Sequence, residues 1–342
     1  MASVGALRTC GAPAPLTLVV RQHMIARQIE AHFPGDHPRT IAWRTHLISV
    51  CEQFIASGLA DSKFTQELAS GSRQKFWACL SEALIAHRLK GATFGQRSNV
   101  GQGPDFLVMN GDQKVWIEVV CPEPARVPAE WLSSATTSGV VDFPHREILL
   151  RWTSAIKAKA EVLMGNSNAG RDGYLKSGLV GSNDAYVIAV NGCQLRSGPS
   201  PALHGISQLP FAVEAVFPVG PYQVKIDRTS LAAMGGEHQH RPVVPNHNNS
   251  LVPATLFIDP NFRCISAIWA VDLNGGQSIG NAEPMALIHN PLASNPIPPG
   301  FLPVDEDDEE IQFISDSIDE VEDNSIYNQL EELYNQVVRE IK

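Results

Sequence analysis

Residues 114–120 restrict the folds open to this chain more than any other stretch. Their sequence is KVWIEVV, in which only Lys114 and Glu118 carry a charge. Successive side chains of a β-strand point to opposite faces, so both faces of this strand are largely apolar. A strand of this kind is covered on both sides, as in α/β proteins.

The flanking residues predict the pairing of this strand. Asn110-Gly111 is a strong hairpin sequence because both residues tolerate positive φ, so residues 106–109 are expected to form an antiparallel partner. Downstream, an amphipathic helix over 147–163 precedes AYVIAV at 185–190, a continuous apolar run typical of a central strand. The sequence therefore predicts an α/β fold with a mixed central sheet flanked by helices.

Further elements are predicted on both sides of this unit. Helices that form an N-terminal layer are expected over 16–33, 39–59, 62–69 and 76–89. Strands that extend the sheet or form a second β-rich layer are expected over 211–219, 222–226, 254–258 and 265–270. The histidine-containing segment 237–249 predicts a solvated loop, and 287–301 an extended Pro-rich segment.

The predicted organisation has three parts: a helical region over 1–75, an α/β core with a β-rich extension over 76–304, and a tail over 305–342. The net charge is −10, but from Asp305 onward there are 14 acidic and 2 basic residues, against 22 acidic and 24 basic residues before it. The body is thus near neutral, without the basic stripe typical of nucleic-acid-binding proteins. Apolar residues recurring from Ile326 to Ile341 predict a C-terminal amphipathic helix, expected to dock on its own chain or on a protein partner.

No apolar run approaches the length of a membrane span, and the one near residues 16–20 is too short for a signal peptide. We therefore expect a cytoplasmic protein without a membrane partner. The six cysteines include no C-x-x-C pair, so their spacing indicates neither a zinc site nor a disulfide framework.

Three carboxylates fall close together in the predicted fold. Glu82 lies in a helix that is apolar nearly all round, Asp105 opens the hairpin, and Glu118 is the acid inside the apolar strand. An isolated buried carboxylate is costly, so such groups are paired, protonated or bound to metal. Two acids on neighbouring strands and a third on the preceding helix form a set of oxygen ligands suited to Mg²⁺.

Over residues 76–190 this arrangement resembles the core of the PD-(D/E)XK nuclease superfamily: a helix with Glu82, then Gly-Pro-Asp ending at Asp105, then a hairpin to Glu118. The resemblance implies a restriction-endonuclease-like fold in which Asp105 and Glu118 hold Mg²⁺ or Mn²⁺, with the Val119 carbonyl as a further ligand. It also implies that Glu82 supports the site by binding a second ion or a metal-bound water.

The sequence departs from the family at Val120. The family pattern has a lysine two residues after the second acid, on the same strand face. In some members a neighbouring helix supplies that lysine instead, and the apolar stripe of helix 147–163 contains Lys159 at a sheet-facing position. Lys159 is therefore the candidate for the displaced lysine, and Arg151, two turns earlier, for a contact with a substrate phosphate.

Each of these residues also has an ordinary structural explanation. Glu82 would form a cap or an ion pair in the core, Asp105 would be a turn residue, and Lys159 would extend out of the stripe to solvent. Their occurrence together, in this order, favours a site.

The function expected from this site is a metal-dependent nuclease that hydrolyses phosphodiester bonds of nucleic acid, DNA rather than RNA. The alternative is a catalytically inactive protein with the same fold that binds nucleic acid or protein. A third hypothesis is an assembly or regulatory protein that works through its acidic tail and terminal helix.

Overall fold

A computed structural model describes residues 18–96, 103–133, 142–166, 170–198 and 200–305. The predicted C-terminal helix and all of the acidic tail after Asp305 lie outside these residues. The described helices are α1 (Leu18–His32), α2 (Pro38–Ala56), α3 (Phe64–Leu68), α4 (Arg73–Arg88), α5 (Ala129–Leu132), α6 (His145–Met164), α7 (Tyr174–Ser177) and α8 (Phe211–Val216). The described strands are β1 (Phe106–Asn110), β2 (Gln113–Val120), β3 (Gly165–Asn166), β4 (Arg171–Asp172), β5 (Ala185–Asn191), β6 (Val219–Ile226), β7 (Ala233–His240), β8 (Val243–Pro245), β9 (Leu251–Pro253), β10 (Ala267–Val271) and β11 (Met285–His289).

Five strands form one mixed sheet in the order β1-β2-β5-β10-β11. β1 and β2 are an antiparallel hairpin, and β5 lies parallel to β2 on one side and to β10 on the other. β11 pairs antiparallel to β10 at the far edge. The helix α6 lies in the crossover from β2 to β5, which confirms the predicted strand–helix–strand unit and the mixed α/β fold.

The two faces of the sheet bury separate apolar clusters. Val115, Ile117 and Val119 face the layer formed by α1 to α4, whereas Trp116 and Val120 face α6 and α8. This alternation is the one predicted for residues 114–120, and it places Glu118 on the α6 side. The N-terminal helices lie close to their predicted ranges, and α4 carries Glu82 on the opposite face of the sheet.

The hairpin turn lies one residue later than the sequence indicated. Asn110 pairs with Gln113, so the two connecting residues are Gly111 and Asp112. Gly111 has a φ of 57°, a left-handed conformation that glycine adopts without steric cost. The amide of Asn110 hydrogen-bonds to the Gln113 side chain instead of occupying the turn.

The strand predicted over 211–219 is wrong in its first part, because residues 211–216 form the helix α8. A short apolar run does not distinguish a buried helix from a buried strand. The helix is anchored by Glu214, which is fully buried and accepts hydrogen bonds from Ser207, His145 and Arg241. Such partners from distant parts of the chain are invisible to a local pattern.

Three other predictions for the C-terminal half are wrong in part. Residues 256–258 form a 3-10 helix instead of a strand. The strand β10 pairs with β11, whose last residues were predicted to begin an extended Pro-rich segment. The hairpin β6–β7 includes part of the predicted loop and stands apart from the central sheet, with β7 exposed throughout.

Within the described ranges, none of the helices combines the length and hydrophobicity needed to cross a bilayer.

Candidate active site

Asp105 and Glu118 meet at the end of the β1–β2 ladder. Phe106 pairs with Ile117, so Asp105, one residue earlier, lies beside Glu118. The Asp105 carboxylate takes the place of a strand carbonyl, because its Oδ2 accepts the backbone N–H of Val119 at 2.6 Å. This bond fixes the carboxylate of Asp105 against β2, one residue from Glu118.

Glu118 and Lys159 form a close ion pair between the sheet and α6. The Lys159 Nζ donates to Glu118 Oε1 over 2.5 Å. The Glu118 side chain is 6% exposed and that of Lys159 is 24% exposed. The contact between the lysine on the helix stripe and the second acid of the hairpin, which the sequence interpretation required, is therefore present.

The second oxygen of Glu118 has no hydrogen-bond partner in the part of the chain that the structure describes. Oε2 is buried and accepts no bond from any described residue, although a buried carboxylate oxygen normally has a partner. Burial raises the pKa of Glu118 to about 7, the negative charge of Asp105 adds to this effect, and Lys159 opposes it. A buried carboxylate oxygen with a raised pKa can accept a proton or bind a cation.

Glu82, on α4, interacts electrostatically with Asp105, Glu118 and Lys159. Burial raises its pKa well above the ordinary value, and the negative charges of Asp105 and Asp61 raise it further. Burial alone would lower the pKa of Lys159, but the charges of Glu118, Asp105 and Glu82 outweigh burial and raise it. Three carboxylates thus share one ammonium, and the cluster carries an excess of negative charge when they are ionised.

This cluster suits a hard divalent cation bound by few protein ligands. Among the residues described, no three His, Cys, Asp or Glu side chains come together as a ready-made ligand set. Mg²⁺, however, commonly keeps several waters and uses one or two carboxylates together with substrate phosphates. Asp105 and Glu118 would be those two carboxylates, and the Oε2 of Glu118, which none of the described residues bonds, would be a donor atom. The coordination of the Val119 carbonyl stays a prediction.

Val120 lies two residues after Glu118 on the same strand and carries no charge. Its side chain is partly buried and packs against the apolar cluster beneath α6. Lys159 can reach Glu118 because it lies in the buried stripe of α6, between Ile156 and Leu163, which are almost fully buried. The position of a lysine in that stripe was the sequence feature that identified it.

Arg151 lies apart from the three carboxylates. It lines a cavity on α6 with Arg126, Lys157 and His247. Its Nε is buried and has no hydrogen-bond partner among the residues described. The predicted phosphate contact, Arg151, therefore lies in a cavity separate from the carboxylate cluster. The other residues of this cavity were not identified from the sequence.

The sequence analysis also did not identify two tyrosines near the acidic residues. Tyr186 is the parallel neighbour of Trp116, and its buried hydroxyl forms no hydrogen bond with the described part of the chain. Burial raises the pKa of Tyr186 and of Tyr174, and the charges of Glu118 and Asp105 contribute to both shifts. Only the register of β2 against β5 reveals that Tyr186 shares the face of Glu118.

Comparison of the chain with protein-family models, with curated proteins and with solved structures finds no match in any of the three.

Proposed function

We propose that this chain is a metal-dependent nuclease with a restriction-endonuclease-like core, which hydrolyses phosphodiester bonds of nucleic acid, preferentially DNA. The observation that carries the proposal is the 2.5 Å contact between Lys159 and Glu118. Lys159, on the helix α6 that connects β2 to β5, contacts Glu118 in the hairpin. Val120, two residues after Glu118 on the strand, carries no charge. The order of α4, hairpin, α6 and β5 supports the proposed fold.

Asp105 and Glu118 would hold Mg²⁺ or Mn²⁺. When bound, such an ion lowers the pKa of water and offsets the charge that develops on a phosphate during its hydrolysis. The unpartnered oxygen of Glu118 and the shared negative charge of the three acids support this assignment. The hydrogen bond from Val119 to Asp105 keeps one carboxylate in place before any ion arrives.

Lys159 has the geometry to orient the attacking water. An ammonium has three N–H donors, and one of them is used by Glu118, which leaves two for a water oxygen and a phosphate oxygen. In the hydrolysis, the water oxygen loses a proton to solvent and bonds to phosphorus, while the bond from phosphorus to the leaving sugar oxygen breaks and that oxygen takes up a proton from solvent. Lys159 would stabilise the charge on the phosphate throughout, because its raised pKa keeps it protonated.

Glu82 would act in support of these residues. Burial and the neighbouring negative charges raise its pKa and so favour its neutral form, which is suited to hydrogen-bond a water at the site; in its charged form it would bind a second ion. Arg151 would contact a phosphate away from the cleaved bond.

A second candidate function is a catalytically silent binding module with the same fold. It is favoured by the ion pair itself, since Lys159 and Glu118 satisfy each other's charge without any substrate, and by the near-neutral charge of the body. This alternative predicts binding of nucleic acid or protein without cleavage.

The experiment is Mg²⁺- and Mn²⁺-dependent cleavage of plasmid, linear duplex, single-stranded DNA and RNA by the full-length chain. Asp105→Asn keeps an acceptor for the Val119 N–H but removes the charge, and Lys159→Met removes the ammonium. The matched control is Lys176→Gln, an exposed lysine that pairs with Asp172 on the surface.

We expect both site variants to lose cleavage and the control to keep it. Cleavage that survives in both site variants refutes the assignment. Absence of cleavage by the wild type, together with absence of Mn²⁺ binding, would favour the silent module.

A further inference from the structure

A second polar site lies on α6, outside the carboxylate cluster. It is a cavity of about 550 Å³ between α6, the loop that follows β2, and the loop that joins β8 to β9. Three of its lining residues are the cations Arg126, Arg151 and Lys157. An adjoining cavity of about 530 Å³ shares Arg126, Asn246 and His247 with the first, so the two form one continuous groove.

The positive charge of this groove is not neutralised within the described part of the chain. Arg126, Arg151 and Lys157 form no ion pair there. The acid that lines the groove, Glu147, pairs with Arg146 at 2.8 Å. The groove therefore presents an excess of positive charge to whatever enters it.

Arg151 is the cation that most needs an acceptor. Its Nε is buried and no residue in the described ranges accepts its hydrogen, and a buried N–H without an acceptor destabilises a protein. A guanidinium binds the oxygens of a phosphate or a carboxylate through paired hydrogen bonds. An anion in the groove would satisfy this group.

Arg126 occupies a backbone position that favours glycine. Its φ is 68°, in a turn closed by the bond from the Val127 N–H to the Pro124 carbonyl at 3.1 Å. A positive φ at the third position of such a turn is adopted most easily by glycine or asparagine. An exposed arginine kept at a strained position is an observation that points to a functional site.

We propose that this groove binds the sugar-phosphate backbone of a polynucleotide, through Arg126, Arg151 and Lys157. The identity of the ligand rests on the nuclease function proposed above, whereas its anionic character follows from the groove itself. Arg151 precedes Lys159 by eight residues on α6, which is about 12 Å along the helix axis. That distance corresponds to about three or four nucleotides of one strand at ~3.4 Å each, so one strand lying along α6 would contact both sites.

The test measures binding of labelled single-stranded and duplex oligonucleotides by fluorescence anisotropy, in EDTA so that no cleavage occurs, over a series of salt concentrations. The variants are Arg126→Gly, Arg151→Gln and Lys157→Gln. The control is Lys75→Gln, an exposed lysine at the start of α4 that pairs with Glu67. Thermal unfolding of each variant checks that it is folded.

We expect each groove variant to weaken binding several-fold, and to reduce the slope of log affinity against log salt by about 0.9 for each duplex phosphate that the variant no longer binds. Arg126→Gly is the most informative variant, because glycine relieves the backbone strain while it removes the charge. Its binding should fall although its melting temperature does not.

The outcomes separate this inference from the nuclease proposal. If the wild type does not cleave but the groove variants lose oligonucleotide binding, the groove stands and the nuclease proposal fails. If the wild type cleaves and the groove variants bind and cleave as it does, the groove is refuted. No binding by the wild type, or equal weakening by Lys75→Gln, also overturns the proposed groove.

Discussion

Replacing Lys159 by methionine removes an ammonium and keeps most of the length and packing of the side chain. In the wild type this ammonium lies 2.5 Å from Glu118 Oε1 and is the cation shared by Glu82, Asp105 and Glu118. Its removal takes away the positive charge that opposes the negative charge of these three carboxyl groups. We expect the change to affect both catalytic turnover and stability.

The size of each effect follows from the surroundings of the pair. Breaking a fully buried ion pair costs about 3–5 kcal/mol. Here the lysine side chain is 24% exposed and Glu118, with a pKa of about 7, takes up a proton readily, so we expect a smaller loss, about 2 kcal/mol. For turnover, loss of one preorganised donor to a developing charge typically lowers kcat by about 10²–10³, or ~2.7–4 kcal/mol.

The assay compares kcat for metal-dependent cleavage and urea unfolding among the wild type, Lys159→Met and the double variant Val120→Lys/Lys159→Met. Val120 shares the strand face of Glu118 and lies two residues away, about 7 Å along the strand. A lysine at this position reaches the same carboxylate. We therefore expect the double variant to regain part of the turnover that Lys159→Met loses, whereas Lys176→Met, at the surface, should behave as the wild type.

Wild-type turnover by Lys159→Met would refute the catalytic role of this lysine. A double variant that is folded but no more active than Lys159→Met would contradict the argument that the helix replaces the strand position. If Lys159→Met is less stable than the wild type and the wild type does not cleave nucleic acid, the ion pair between Lys159 and Glu118 is structural.

Three further predictions concern stability. Burial alone would raise the pKa of Glu214, but hydrogen bonds from its three partners lower it to about 2, from an ordinary value of 4.5. Because the folded pKa is the lower one, the stabilisation is present above pH 4.5 and is lost as the pH falls toward 2. Urea titrations should show a decrease of up to about 3 kcal/mol over this range, which Glu214→Gln should lack; an equal decrease in the variant would contradict the assignment. Gly192→Ala would place a Cβ 2.7 Å from Trp152 Cζ2 and should cost about 1–3 kcal/mol in thermal unfolding, so an unchanged Tm would argue against this packing. Trp269→Ala removes a fully buried side chain and should cost about 3–5 kcal/mol in urea unfolding; a loss below that of Gly192→Ala would argue against its place in the core.

The candidate site could be assembled largely from local patterns. Glu118 was identified because it is a charge in an apolar strand, and Lys159 because it interrupts an apolar helix stripe. Both are conflicts between a residue and its position, and such conflicts are visible without a structure. Arg126 and His247 carry no such conflict, since a polar side chain in a polar loop is ordinary. Only the folded chain places them beside Arg151.

The errors in the C-terminal half have a common cause. The runs at 211–216 and 256–258 are short and apolar, and burial of such runs is compatible with either a helix or a strand. Their conformation depends on partners far along the chain, such as the bond from His145 to Glu214. The strand β11 was not predicted. It forms the edge of the sheet by pairing with β10, and the hydrophobic pattern of a single segment does not reveal which other segment it pairs with.

Hydrophobic period and turn residues were sufficient to specify the mixed sheet, the hairpin and the helix that returns the chain to β5, because these depend on contacts between neighbouring segments. Long-range pairing decided the rest: that Tyr186 faces the acids, that β10 and β11 complete the sheet, and that the loops after β2 and β8 form a basic groove on α6. The physical reason is that side chains from distant segments are brought together by the packing of the whole chain, and their mutual distances are not contained in the pattern of any one segment.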